Sequence, residues 1–435
     1  MMNYLIQPGG RLKGTILVPG DKSVSHRSVI LGAICDGVTE VSGLLEGMDV
    51  LATVHAFREM GIYIDGPDRG YLAIHGNGLR GLRAPLRPLD LGNSGTSIRL
   101  LSGLLSAQSF DCKLVGDDSL SKRPMMRVVE PLRQMGACID PTPQGTAPLS
   151  IRGGRVISGQ SFNLQIASAQ VKSAILLAGL YAGSPVSVVE PVDTRDHTER
   201  MLSDMGCRIE RQNRKITLTP PSSLKARYIH VPADVSSAAF FMVGASIARD
   251  SNLIIENVGI NPTRIGVIEI LKLMGADITI LNQRLAAGEP VADIKVKASQ
   301  LKGIDVPEDL VASAIDEFPC LMIAAACATG ETVVTGAEEL RVKESDRITS
   351  MVSGLNAIGI AAMELEDGMT VEGGVIKGGT VESNDDHRIS MAFAMAGLAS
   401  KNEILVKDCR NVATSFPGFD ELAVSAGLKL RCVNG

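Results

Sequence analysis

Leu132-Arg-Gln-Met-Gly136-Ala-Cys-Ile139 has five counterparts in this chain. Phe57-Arg-Glu-Met-Gly61-Ile-Tyr-Ile64 precedes it, and Leu202-Ser-Asp-Met-Gly206-Cys-Arg-Ile209 and Leu271-Lys-Leu-Met-Gly275-Ala-Asp-Ile278 follow. Leu355-Asn-Ala-Ile-Gly359-Ile360 and the looser Ala423-Val-Ser-Ala-Gly427-Leu428 complete the set. Each reads as the apolar end of a helix, a Gly at the position where a left-handed backbone is wanted, and the start of a short strand. Successive glycines are 75, 70, 69, 84 and 68 residues apart. So long a period points to repeated supersecondary units rather than a solenoid.

Each unit carries a second helix, apolar nearly all round and therefore expected to be buried. These are Ser28–Cys35, Ser97–Ala107, Val171–Ala182, Val235–Ile247, Phe318–Ala328 and Ile389–Leu398. The later helices, such as Asp49–Met60 and Thr198–Met205, are amphipathic and expected to face solvent. Short alternating strands fill the gaps: Tyr71–His75, Leu149–Arg152, Lys215–Thr219, Ile294–Val296 and Met369–Val371. The expected fold is α/β, six βαβαββ repeats in two domains of three, each around three buried parallel helices. The first lobe is expected over residues 21–230, the second over 1–20 plus 231–435, with the change of domain near Pro220-Pro221-Ser222-Ser223.

The 435 residues include 45% hydrophobic and 21% charged side chains, ordinary for a soluble globular chain, and only 3% aromatics. A net charge of −5 gives no reason to expect nucleic acid or a membrane surface as partner. No apolar run reaches 18 residues without a charge, and the N-terminus shows no targeting pattern, so a cytoplasmic location is expected. The eight Cys form no CxxC pair and no zinc spacing; free thiols in a reducing compartment are expected.

Chemistry is expected at the starts of the buried helices. Gly20-Asp-Lys-Ser-Val-Ser-His-Arg27 follows a strand-like run and opens the first of them. Helix N-termini offer free N–H groups and a positive dipole end to an anion, and Lys22 and Arg27 add full charges. An ordinary helix start, with Ser23 or Ser25 as cap, is the simpler reading of this stretch alone. The other starts are equally polar: Asn93-Ser-Gly-Thr96, Ser168-Ala-Gln170, Asp234, Asp316-Glu317 and Asp385-Asp-His-Arg388. Arg99, Arg123, Arg195, Lys343, Arg347 and Arg388 sit near the same edges, and forked guanidinium groups suit phosphate and carboxylate. If the helices of a domain share direction, their positive ends converge, and two such faces would make an anion trap. Asp316 and Glu344 read as the acid–base pair, each opening a helix, with Glu344 and Arg347 on one helix face. Gly76-Asn-Gly-Leu-Arg-Gly81 matches GxGxxG only literally, because Pro85 and Pro88 stand where a helix should begin.

The chain resembles the enolpyruvyl transferases over essentially its whole length. GDKSxSHR, LGNSGTSIR, SKRPM, ASAQVKSA, RVKESDR, NDDHRISM and TSFPGF occur in the family's order. Ser168-Ala-Gln-Val-Lys172, Arg195-Asp-His-Thr-Glu199 and Asn261-Pro-Thr-Arg264 are similar to the family's second sequence class, which is associated with glyphosate tolerance. The resemblance implies transfer of the enolpyruvyl group of phosphoenolpyruvate to the 5-hydroxyl of shikimate 3-phosphate, in the shikimate pathway. It implies no metal or organic cofactor, a monomer, and closure of two domains over substrate.

Residue by residue, it implies that Ser23, Arg27, Ser168, Gln170, Arg195, Asp316 and Lys343 hold shikimate 3-phosphate. Gly95, Arg123, Gln170, Arg347 and Arg388 would hold phosphoenolpyruvate, and Lys22 would touch both ligands. Asp316 would take the hydroxyl proton, and Lys22 or Glu344 would protonate the methylene. The family's better-known class has a Lys where Thr414 stands, so a replacement cation is expected, with Lys407 the candidate. Glyphosate would occupy the phosphoenolpyruvate site, where Gly95 leaves room. The alternatives are a UDP-N-acetylglucosamine enolpyruvyl transferase and a non-catalytic phosphometabolite-binding protein. The first typically has a Cys before Arg-Pro, and Asp117–Lys122, preceding Arg123-Pro124, contains none. The second would lack an acid or base, and both are present.

Overall fold

A computed structural model describes residues 2–286 and 288–434. The chain divides into two compact units. One holds Gly20–Val231 with the short stretch Ala286–Glu289; the other holds the segment up to Pro19, Pro232–Leu285 and the chain from Pro290 onward. The crossing at Val231/Pro232 lies past the Pro220-Pro221-Ser222-Ser223 stretch because Tyr228–His230 is still a strand of the first sheet, paired with Glu40–Ser42.

In the Gly20–Val231 unit three four-stranded sheets share one plan. Tyr228–His230 runs parallel to Asp36–Ser42, Leu89–Asp90 to Cys112–Val115, and Ser161–Asn163 to Val186–Val189. Two antiparallel strands extend each sheet: Tyr71–Asn77 and Tyr63–Asp68, Leu149–Arg152 and Cys138–Asp140, Lys215–Thr219 and Arg208–Gln212. Parallel neighbours need a crossover, and the helices Gly95–Leu105 and Ala169–Gly179 provide two of them. The third helix of this set is Lys22–Ala33.

The other unit repeats the plan with borrowed strands. Gly379–Glu382 is parallel to Ile404–Lys407 across the helix His387–Ala396, and the N-terminal strand Met2–Gly10 lies between Ile404–Lys407 and Leu428–Asn434. Lys13–Ile16 pairs in parallel with Asn252–Gly259, which follows the helix Val235–Ile247. Glu331–Val334, Met369–Glu372 and Ala362–Glu364 form a three-stranded sheet, where single bridges from Lys302 and Asp305 stand in for a parallel strand.

The six apolar helices are buried along most or all of their length, and each unit has its own hydrophobic core. The abundance of small residues is what permits their approach. A Cβ on Gly103 would stand 2.1 Å from the carbonyl oxygen of Ala174, so any other residue there would force two helices apart. All six repeat glycines have positive φ, from 84° at Gly61 to 120° at Gly427, as the helix-ending reading requires. Four of these helices begin earlier than apolar periodicity suggests, by six residues at Lys22 and by two at Gly95, Ala169 and His387, because their first turns are polar. The helix His197–Asp204 does not face solvent along its start: His197, Thr198 and Glu199 are buried. After the strand Tyr71–Asn77 no helix follows before Gly95, so Gly76–Gly81 is a strand end and loop.

Candidate active site

Side chains from the first turns tie the three buried helices of the Gly20–Val231 unit together. Asp21, rather than Ser23 or Ser25, caps the first helix, its Oδ1 accepting from the Val24 N–H at 2.8 Å. Lys22 points from that turn onto Asp49 and is partly exposed. His26 lies beneath, buried, with Nδ1 2.8 Å from Thr53 Oγ1 and Nε2 3.4 Å from Ser94 Oγ, the cap of the second helix. Burial, then the charges of Lys22 and Arg27, push its pKa well below the ordinary imidazole value. It is therefore a neutral spacer between helix starts.

Arg27 is 4% exposed. Its Nε donates to Thr198 Oγ1 at 2.6 Å, Nη1 to the Ser23 carbonyl at 2.9 Å and Nη2 to Ser173 Oγ at 2.8 Å. Burial pushes its pKa down to about 10, so it stays charged at neutral pH; Glu199 and Asp21 oppose that shift and Arg195 adds to it. The guanidinium thus fastens the first helix to the Ala169–Gly179 helix as well as carrying charge. Ser23, half-buried, opens the first helix.

Gln170 connects the second and third helix starts. Its Oε1 accepts from Arg99 Nη1 at 2.7 Å, and its Nε2 donates to Thr96 Oγ1 at 3.0 Å. Ser168 caps the third helix through the Val171 N–H. Arg123 donates to Asn93, and an added Cβ on Gly95 would lie 2.9 Å from both Arg123 Nη1 and Arg99 Nη1. Gly95 is thus the floor of a small space walled by two guanidinium groups. Arg195 is half-buried in the loop after Val186–Val189 and close enough to Arg27 to act on it electrostatically.

In the other unit Arg347 is the hub, with its side chain 1% exposed. Nε bonds Asp386 Oδ2 at 2.8 Å, Nη2 bonds Glu344 Oε2 at 2.7 Å, and Nη1 reaches Asp316 Oδ1 at 3.3 Å. Lys343 Nζ stands 3.5 Å from the same Asp316 oxygen. Arg388 donates to the Asp316 carbonyl at 2.9 Å and lies 3.6 Å from buried Glu317. Burial would raise the pKa of Asp386, but Arg347 outweighs it and holds the carboxyl below its ordinary value. Arg347 is correspondingly raised despite its burial.

Two expectations change here. Glu344 does not open a helix: Asp346 caps the Arg347–Ala357 helix, and Glu344 reaches Arg347 from the preceding loop. The edge is also not simply cationic. Four carboxylates, Asp316, Glu317, Glu344 and Asp386, pair with three cations, Lys343, Arg347 and Arg388, so burying these cations is tolerable. Lys407 is engaged by Glu382 at 2.7 Å, and Thr414 bonds the Asn411 carbonyl.

The chain matches the family model described as EPSP synthase (3-phosphoshikimate 1-carboxyvinyltransferase) over residues 6–422. It belongs to the EPSP synthase family. Among curated members, the 3-phosphoshikimate 1-carboxyvinyltransferase of Nitrosococcus oceani is 57% identical over 430 residues, covering 99% of this chain and 97% of that one. That of Methylococcus capsulatus is 59% identical over 424 residues, covering 98% and 97%. The solved EPSP synthase of Acinetobacter baumannii superposes with a TM-score of 0.90 at 55% identity, each chain fully covered. The two-domain α/β architecture is that of the EPSP synthase structures.

Several residues of this family member's two clusters carried no distinctive signal. Asp49, which holds Lys22, and Lys172, buried against Glu190 and Glu199, look like an ordinary helix acid and helix base in sequence. Asp386 stood inside a polar helix start, but its partner Arg347 is 39 residues away. Among the described residues no group of three or more His, Cys, Asp or Glu could hold a metal, and no helix is long and apolar enough to cross a membrane.

Proposed function

We propose that this chain transfers the enolpyruvyl group of phosphoenolpyruvate to the 5-hydroxyl of shikimate 3-phosphate and releases phosphate. The observation that carries the reading is Asp316, a half-buried carboxylate held by Arg347 and Lys343 at a buried helix start, in a chain that matches the family from end to end. Both substrates are polyanions, and both clusters present cations and helix N-termini suited to them.

In this reading Ser23, Arg27, Ser168, Gln170, Arg195 and Lys343 hold shikimate 3-phosphate. Gly95, Arg123, Gln170, Arg347 and Arg388 hold phosphoenolpyruvate, and Lys22 serves both. Asp316 accepts the 5-hydroxyl proton as the oxygen bonds to C2 of phosphoenolpyruvate. Lys22 or Glu344 delivers a proton to C3, giving a tetrahedral ketal phosphate. Loss of a methyl proton and of phosphate then yields the enol ether. Fixed cations around the departing phosphate are the largest electrostatic contribution. Sequence similarity in the Ser168–Lys172, Arg195–Glu199 and Asn261–Arg264 stretches supports the second, glyphosate-tolerant class. The enzyme is proposed to act as a cytoplasmic monomer.

Phosphate release measured with phosphoenolpyruvate and shikimate 3-phosphate tests the function. Turnover with this pair is expected; turnover only with UDP-N-acetylglucosamine as acceptor, or none with either, overturns it.

A further inference from the structure

We infer that Lys172 is a positioning residue for substrate binding: it shapes the 190–199 loop so that Arg195 is presented to the acceptor substrate. The inference deepens the proposed function and rests on it.

Lys172 stands in the first turn of the Ala169–Gly179 helix, one residue after Val171 and next to Ser173, with a fully buried side chain. Its ammonium makes three contacts, all to one short segment. Nζ is 2.9 Å from Glu190 Oε2, 2.7 Å from Glu199 Oε1 and 3.3 Å from the Thr194 carbonyl. Thr194 Oγ1 in turn donates to the other oxygen of Glu190. The segment leaves the strand Val186–Val189 and enters the helix His197–Asp204. Lys172 therefore grips it at its beginning, at the residue before Arg195, and at its far end. The adjacent Ser173 adds a fourth hold, its Oγ 2.8 Å from Thr198 Oγ1 and 2.8 Å from Arg27 Nη2.

Two carboxylates converging on one buried ammonium are costly to assemble, and a plain core would pack more cheaply with apolar side chains. What the arrangement fixes is a loop conformation. Gly95, Gln170 and Arg123 are reached from helices or their caps, whereas Arg195 projects from irregular backbone that no sheet or helix holds. Arg27 and Arg195 are close enough there to act on one another, beside the carboxylates Glu199, Asp21 and Glu289. Lys172 does not reach a substrate; it acts through Arg195.

The test is steady-state kinetics with a double-mutant cycle. Lys172→Met removes the charge at similar length and leaves Glu190 and Glu199 uncompensated. Lys172→Met/Glu190→Gln/Glu199→Gln removes all three charges and serves where the single variant does not fold. In whichever folds, with wild-type circular dichroism, KM for shikimate 3-phosphate should rise about tenfold or more, while kcat and KM for phosphoenolpyruvate move less than about threefold. In an Arg195→Ala background the same change should raise that KM by less than about twofold, because its route of action is gone. Unchanged KM for shikimate 3-phosphate, equal rises in both KM values, or full additivity with Arg195→Ala overturns the inference. If wild-type enzyme does not bind shikimate 3-phosphate by calorimetry, the functional reading fails instead. Loss of hydrogen-exchange protection confined to residues 190–199 of the variant would then still support the loop-shaping role, and unchanged protection would refute it.

Discussion

Single side chains in this protein do two jobs, and Gly95 shows how little separates them. The absent Cβ leaves the space between Arg99 and Arg123 open, and a methyl would come within 2.9 Å of both guanidinium tips. Those tips are the ends of flexible chains, so Gly95→Ala should fold normally while crowding the proposed phosphoenolpyruvate subsite. We predict that its glyphosate inhibition constant rises about tenfold or more, with a smaller rise in KM for phosphoenolpyruvate. An inhibition constant equal to wild type would count against that placement. Asp316 is tied to Arg347 and Lys343 through one oxygen, and its carbonyl holds Arg388. Replacing its side chain leaves the carbonyl contact in place. Asp316→Ala is expected to lose about 10²- to 10⁴-fold in kcat. A variant with near-full activity would refute its assignment as base.

At the level of elements, helix starts are fixed by long-range partners as much as by local caps. Asp386 caps the His387–Ala396 helix through the Arg388 N–H at 2.9 Å and also pairs with Arg347 from another helix. Its folded pKa is held below the ordinary 3.8. Stability from this group is therefore complete above the unfolded pKa, near 4, and fades as pH falls through the lower folded value. Asp386→Asn should lose about 3–5 kcal/mol at pH 7, since Arg347 is left short of a buried counter-charge. The gap between variant and wild type should narrow below about pH 4, which urea unfolding across pH measures. A gap independent of pH would show that the ion pair is not responsible. The TSFPGF segment has a structural role of the same reach. Phe416 and Phe419 meet Phe241 at ring distances of 6.1 Å, and Phe419 also meets Tyr4 at 6.1 Å and Phe240 at 6.5 Å. In a chain with few aromatics this cluster joins the N-terminal strand, a core helix and the C-terminal helix. Phe419→Ala should cost about 3–5 kcal/mol by denaturant titration. A loss below 1 kcal/mol would mean the site repacks.

The whole molecule consists of two hydrophobic cores that share no member residue. One unit is almost continuous in sequence; the other is completed by the N-terminal strands Met2–Gly10 and Lys13–Ile16. Separate cores make independent melting the physical expectation. Differential scanning calorimetry should give a calorimetric enthalpy larger than the van't Hoff value, and a single transition with equal enthalpies would show that the units unfold together. Shikimate 3-phosphate should raise the midpoint, by an amount that grows with the logarithm of its concentration over Kd.

The sequence by itself determined the repeat, because glycine's freedom at positive φ and the apolarity of a buried helix are local properties written into composition and spacing. It also marked the helix starts as the chemical edges, and the family motifs named the residues to look for there. Apolar periodicity set helix starts too late, since a first turn that carries polar cargo breaks the pattern it relies on. Only the tertiary structure decided the pairings. Arg347 with Asp386, Lys22 with Asp49, and Lys172 with the loop that carries Arg195 join residues from 18 to 39 positions apart, or from different helices. Such partners are chosen by the need to neutralise buried charge in three dimensions. That need has no period along the chain, so spacing could not reveal it.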